Sequence, residues 1–268
     1  MAKTKQISLP LPIRGINTGT ARHLCPEGYS PDMNNVFPFD LGGRARMGTR
    51  PGSSKYWNLQ FAGTAASCQM LEQVTVEVSG TRTDYILAVF GGKVYRMKPS
   101  DGSLQRIDGA GGATFSAGRR VECATLYGIT YFTDGLTLKK YDHAGASFTN
   151  FTASAGTMPQ SATPRYCRLF CAWRGRLVQA LLDDASPELW FMSKQQDPTN
   201  YDYGATPTAD MAVAANNNYR AGQIGQPITA LVPMSEDLLL FGLDHGIYQM
   251  RGDPADGGTL LPLSLIHI

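Results

Sequence analysis

Tyr85-Ile86-Leu87-Ala88-Val89-Phe90, then Gly91-Gly92, then Lys93-Val94-Tyr95-Arg96-Met97 is a pair of apolar runs split by two glycines. Short runs rich in β-branched and aromatic residues, bounded by turn residues, read as paired strands. The phrase returns further along the chain. Ile129-Thr130-Tyr131-Phe132 precedes Asp134-Gly135 and then Leu136 to Tyr141. Arg176 to Leu182 precedes Asp183-Asp184 and then Glu188-Leu189-Trp190-Phe191-Met192. Asp237-Leu238-Leu239-Leu240-Phe241 precedes Asp244-His245-Gly246 and then Ile247-Tyr248-Gln249-Met250.

One aromatic anchors each phrase: Tyr95, Tyr141, Trp190 and Tyr248, at spacings of 46, 49 and 58 residues. These four are the expected blade-core positions. Further apolar segments flank the pairs. Val121 to Leu126, Tyr166 to Trp173 and Ile228 to Val232 come before the second, third and fourth; Leu104 to Ile107 and Phe148 to Phe151 follow the first two. Four short strands per unit at this period is the signature of a β-propeller blade. A β-sandwich also has frequent turns, but at a shorter period. The fold class expected is therefore all-β: a partial β-propeller of about four blades, each a four-stranded antiparallel meander, preceded by an extended N-terminal arm.

Composition agrees. The chain has 268 residues, 43% hydrophobic and only 17% charged, with 29 Gly and 16 Pro. So many backbone breakers exclude a helical bundle as the main architecture. The net charge of +2 argues against a dedicated nucleic-acid binder, which carries a basic excess, but leaves room for a local basic patch. No apolar run reaches the length of a membrane-crossing helix. Five cysteines at irregular spacing make a poor disulfide framework and read as mostly buried thiols. The domain expectation is an arm over 1–55, blades over 56–262, and a tail over 263–268. That tail, Leu263-Ser264-Leu265-Ile266-His267-Ile268, looks like the translation of a sequencing adapter, so the native chain is expected to run further.

Catalytic patterns are hard to assemble. The four histidines share no metal-ligand spacing, and no Gly-x-Ser-x-Gly elbow is present. Gly109-Ala110-Gly111-Gly112 lacks the Lys-Ser/Thr of a phosphate loop. Cys167 and Cys171 are expected on one strand face as core packing. Asp183-Asp184 reads as turn chemistry, and Arg251-Gly252-Asp253, although it matches an adhesion tripeptide, reads as a turn before Pro254. Asn150-Phe151-Thr152 is a glycosylation sequon with no secretion signal to give it meaning. The expectation is a protein that is not an enzyme and that uses no cofactor or metal. The basic cluster Arg44, Arg46 and Arg50, with Arg14 and Arg22 before it, could meet DNA phosphates, carboxylates of a neighbouring subunit, or only solvent.

The arm carries a family signal. Cys25-Pro26-Glu27-Gly28-Tyr29-Ser30-Pro31-Asp32-Met33-Asn34-Asn35-Val36, Gly43-Arg44-Ala45-Arg46 and Arg50-Pro51-Gly52 resemble the opening segment of bacteriophage virion propellers. Trp173-Arg174-Gly175-Arg176-Leu177, Glu188 to Ser193 and Asp197-Pro198-Thr199-Asn200-Tyr201 are similar to a blade of the same group, as is Leu239 to Pro254. The resemblance implies a structural subunit of the head-tail connector (the hub that plugs packaged DNA) or of the tail nozzle. It would form an oligomeric ring around the DNA channel, assembled in the host cytoplasm and resident in the virion. Its implied partners are copies of itself, portal, adaptor or tail proteins, and packaged DNA, with no membrane. The alternatives are a carbohydrate- or protein-binding cellular propeller, and a propeller lyase or glycosidase, which the missing His/carboxylate constellation disfavours.

Overall fold

The computed structural model describes residues 24, 26, 29, 36–39, 45–49, 66–100, 102–109, 111–161, 165–182, 186–204, 208–215 and 224–263. The chain divides into two compact units, Met1–Leu59 and Gln60–Ile268. In the first, β1 (Val36–Phe39) pairs antiparallel with β2 (Ala45–Thr49). The reading of residues 1–55 as an irregular arm did not contain this hairpin, whose strands are only four and five residues long.

The second unit holds four four-stranded sheets in chain order. Blade one is β3 (Cys68–Val78), β4 (Thr81–Phe90), β5 (Lys93–Lys98) and β6 (Ser103–Arg106). Blade two is β7 (Glu122–Leu126), β8 (Ile129–Thr133), β9 (Leu138–Asp142) and β10 (Ser147–Asn150). Then come β11 (Ala155–Gly156), β12 (Leu169–Trp173), β13 (Arg176–Ala180), β14 (Trp190–Met192), β15 (Asn200–Tyr201) and β16 (Val213–Ala214). Blade four is β17 (Ile228–Ser235), β18 (Leu238–Leu243), β19 (Gly246–Arg251) and β20 (Thr259–Pro262). Every pairing within these sheets is antiparallel. Among the described residues the helical pieces are single 3-10 turns such as Pro254–Asp256. The protein is all-β, built of propeller-type blades, as the recurring phrases predict.

The third blade departs from a simple meander. Its order is β12-β13-β14-β16, while β15 leaves to pair in parallel with β11. The diversion begins at Asp197, whose Oδ1 accepts the Thr199 amide at 3.0 Å and the Thr199 hydroxyl at 2.7 Å. That side-chain turn replaces strand continuation. It delivers Tyr201 to a fully buried position where its hydroxyl meets the Gln179 side chain. The Asp-Pro-x-Asn-Tyr phrase is thus a device of blade architecture.

Blades are held by apolar faces pressed together. Met70, Leu87, Val89 and Val94 of blade one pack with Phe132 and Tyr141 of blade two. Tyr131 and Leu126 of blade two meet Phe170, Leu177 and Phe191 of blade three. Trp173, Val178, Trp190 and Met192 of blade three meet Leu239, Phe241 and Met250 of blade four. Each fully buried aliphatic or aromatic side chain contributes about 1.5–3 kcal/mol by leaving water. Gly92 shows how tight the fit is. A Cβ there would lie 2.1 Å from the Phe115 carbonyl oxygen, and the Gly92 carbonyl accepts the Thr114 and Phe115 amides. Only glycine lets the loop close on the β4–β5 turn.

Three anchor aromatics are buried: Tyr95, Tyr141 and Trp190. Tyr248 is half-buried against the seam of blades three and four, where Met250 takes the fully buried place. The cysteines differ from expectation. Cys167 and Cys171 are both buried but in different seams, the first between blades two and three, the second between three and four. The strand begins only at Leu169, so two-residue alternation does not extend back to Cys167. Cys68 is exposed.

Candidate functional site

The first strands of the four blades, β3, β7, β12 and β17, come together. β12 lies against both β7 and β17, and β3 lies against β7. Between them run three contiguous cavities of ≈500, ≈450 and ≈370 Å³. Glu122 lines all three. The largest adds Gln69, Glu72, Arg119 and Arg120. The second adds Glu72, Cys123, Phe170, Cys171 and Pro233. The smallest adds Arg119, Arg120, Asp134 and Arg168. One end of this groove is therefore arginine-rich and the other carries thiols and apolar side chains.

The charges in the groove are arranged, not scattered. Arg120 is paired with Glu122 at 2.5 Å, its own side chain 82% exposed. Burial raises the Glu122 carboxyl above the usual range, against the opposing pull of Arg120. Burial also raises the Cys123 thiol, and it pushes the Cys171 thiol up to about 12, so both remain protonated and unreactive at neutral pH. Asp134 is buried and committed: its Oδ1 accepts the amides of Leu136 and Thr137, and its Oδ2 accepts the amide of Ser116. Among the described residues no group of three or more His, Cys, Asp or Glu is placed to hold a metal ion.

Two polar constellations lie in the blade seams. Between blades three and four, the buried Arg176 makes a bidentate pair with Asp253: Nε to Oδ2 and Nη2 to Oδ1, both 3.0 Å. Arg176 also donates to the carbonyls of Ser193, Met211 and Ala209. Asp253 in turn caps the 3-10 turn by accepting the Ala255 amide at 2.9 Å. This is the aspartate of the Arg-Gly-Asp tripeptide; it is turned inward and consumed as a latch. The sequence reading of this tripeptide as a turn misses Arg176, whose partner stands 77 residues away.

Between blades one and two, His143 is buried, with Nε2 2.9 Å from the Thr130 hydroxyl. Its ring centroid lies 4.8 Å from that of Tyr141 and 5.5 Å from that of Tyr85. The Arg96 guanidinium stacks over both tyrosine rings, at 4.8 Å from Tyr85 and 5.5 Å from Tyr141. Burial first, and Arg96 second, push the imidazole down to about 4, against Asp142. His143 is a neutral structural histidine at physiological pH.

Of the arginines singled out in the sequence, Arg44 and Arg50 lie outside the described residues and Arg46 lies on β2. Asp183-Asp184 and residues 264–268 also lie outside them. The basic residues that the fold does gather, Arg119, Arg120 and Arg168, went unnoticed because no spacing links 119 to 168; only the neighbouring of β7 and β12 does.

The fourth blade presents a further surface. Val232, Leu240, Gln249 and Leu261 are cross-strand neighbours and share one face. Val232 is 43% and Leu261 47% exposed. On the opposite face Leu239 and Met250 are completely buried against blade three.

No protein family matches the chain, and no curated protein is similar enough to match it. Similarities to solved structures are remote. The N-terminal domain of Nup159 gives a TM-score of 0.37 at 9% identity, over 67% of this chain and 45% of that one. The same values describe a structure of S. cerevisiae Dbp5 bound to Nup159, Gle1, IP6 and ADP. A mitotic checkpoint complex chain gives 0.36 at 12% identity, over 74% and 75%. The chain spans less than half the length of the Nup159 chain. The blades themselves, not these similarities, define the architecture.

Proposed function

We propose that this protein is a structural subunit of a bacteriophage virion, in the head-tail connector or tail, and that it acts by binding other proteins. The observation that supports this reading is the fourth blade's apolar face. In every seam of the molecule such a face is covered by another sheet. Here Val232 and the partly exposed Leu240, with Leu261 beyond Gln249, stay in contact with water, and exposed apolar side chains grouped on a sheet face mark a surface that a partner covers. The sequence phrases that resemble those of virion propellers support the finer reading. The seam polar groups, Arg176, Asp253 and His143, are engaged in holding blades together, which suits a scaffold.

Two measurements test this. Native mass spectrometry of the protein should give a closed ring of identical subunits. Sequencing the flanking genes should find portal and terminase genes. A monomer at micromolar concentration, with neighbours of sugar or intermediary metabolism, would overturn the reading in favour of a cellular binding propeller.

A further inference from the structure

We propose that the seam between blades one and two is an acid-operated joint: proton uptake by His143 parts these two blades while the third and fourth stay packed. The inference rests on the seam itself and not on the virion reading.

The ring is held where an imidazole fits and an imidazolium does not. His143 directly follows β9 and is buried. Its Nε2 lies 2.9 Å from the Thr130 hydroxyl, and that oxygen lies 2.8 Å from the Thr125 hydroxyl. Its Nδ1 is enclosed and meets no hydrogen-bond partner among the described residues. An imidazolium donates from both nitrogens. Proton uptake therefore leaves a charged N–H inside the seam with nothing described to accept it, and a buried charge without a partner is costly.

The charges around the ring add to that cost. From blade one come Tyr85 of β4, its ring centroid 5.5 Å away, and Arg96 of β5, whose guanidinium lies over the Tyr85 and Tyr141 rings. From blade two come Tyr141 and Asp142 of β9. The Asp142 carboxylate favours the proton, but its Oδ1 already accepts the Ala144 and Gly145 amides. Glu77 of β3 and Arg82 of β4 are cross-strand neighbours and both exposed. Asp84 of β4, also exposed, accepts the Thr75 hydroxyl at 2.6 Å. Strand β10, which completes blade two, carries no charged residue. A second cation beside Arg96 is repelled by it, in keeping with an imidazole pushed down to about 4 by burial first and Arg96 second.

Proton linkage converts this into motion. An opened seam lets the ring reach water and titrate at its ordinary value of about 6.5, whereas the closed seam holds it down to about 4. Closure is fully supported by this residue above about 6.5 and loses that support as pH falls toward about 4. Each core cluster joins consecutive blades, so one seam can yield while another holds. The seam of blades three and four has the Arg176–Asp253 pair as its polar centre and no histidine among its described residues; His245 stands exposed at the β18–β19 turn.

The test is hydrogen–deuterium exchange of the whole protein, read by mass spectrometry at pH 7.5 and 4.5 and corrected for the intrinsic exchange rate. Protection of β4, β5, β8 and β9 should fall about thirtyfold, and that of β13, β18 and β19 by less than about threefold. His143→Gln, which keeps a partner for the Thr130 hydroxyl, should bring the first figure under about threefold. If that variant does not fold, Arg96→Met serves: without the neighbouring cation the pH window narrows, and the fall should shrink to about tenfold. The imidazole resonance of the unaltered protein, followed by NMR, should titrate at about 4. Equal loss of protection in both seams overturns the proposal. So does a fall left at full size by the substitution used, or an imidazole that titrates at about 6.5 in the folded chain.

Discussion

The seam between the first and second blades and the seam between the third and fourth each contain an arginine, and they accommodate it in opposite ways. Arg96 lies at a half-buried rim, flat against Tyr85 and Tyr141, with Gln105 as its hydrogen-bond acceptor at 2.7 Å. Arg176 is wholly enclosed and meets a carboxylate and three carbonyls. The difference follows from water. A guanidinium at a rim keeps part of its hydration and needs only a polarisable surface. One inside a seam must have its donors satisfied by protein, because desolvating an unpaired charge costs several kcal/mol. The first seam is thus tolerant and the last is exacting.

The sharpest way to break this comparison is Asp253→Ala. It leaves Arg176 buried without its counter-ion and removes the cap on the 3-10 turn, so unfolding in urea should show a loss of about 3–5 kcal/mol. Pairing Asp253→Leu with Arg176→Met should recover most of that loss, since apolar replacement of a whole buried pair is often neutral. A single substitution costing under about 1 kcal/mol would mean that the latch is hydrated after all.

The next effect belongs to the first seam and depends on pH. His143 titrates lower in the folded chain than in the unfolded one, so the unfolded state takes up the proton first as pH falls. Stability from this residue is present above about 6.5 and is lost progressively as pH drops toward about 4. The loss should be on the order of 2 kcal/mol, and His143→Gln should flatten that part of the stability–pH curve. An unchanged curve would remove His143 as its cause. Arg96→Met should cost about 0.5–1 kcal/mol through the lost ring stacking, and should raise the pH at which His143 titrates. Smallest of all, Val232→Ser on the exposed face should alter stability by no more than about 0.5 kcal/mol while reducing self-association in analytical ultracentrifugation.

Strand pairs were legible because their information is local. Tyr85 to Met97 shows two apolar runs and a glycine pair within thirteen positions, and β4 and β5 follow it closely. The latch was not legible. Arg176 looks like any strand-edge arginine and Asp253 like any turn aspartate until the third and fourth blades pack. The same holds for Arg119 and Arg168, which are ordinary surface residues in sequence and neighbours only across β7 and β12. In sequence Tyr248 looks like the core aromatics Tyr95, Tyr141 and Trp190. Alternation could not say that Met250, two residues on, takes the fully buried place.

The distance of 77 residues between Arg176 and Asp253 has a meaning in time as well as in space. A ribosome adds roughly 5–20 residues each second, so Arg176 waits roughly 4–15 s after its own incorporation before its carboxylate exists. During that interval the third blade can form its sheet, but its seam with the fourth stays open and its charge must keep company with water. Closure of the seam is therefore set by the pace of synthesis, and a pause between codons 177 and 252 would prolong the stage at which the nascent chain is most prone to stick to its neighbours.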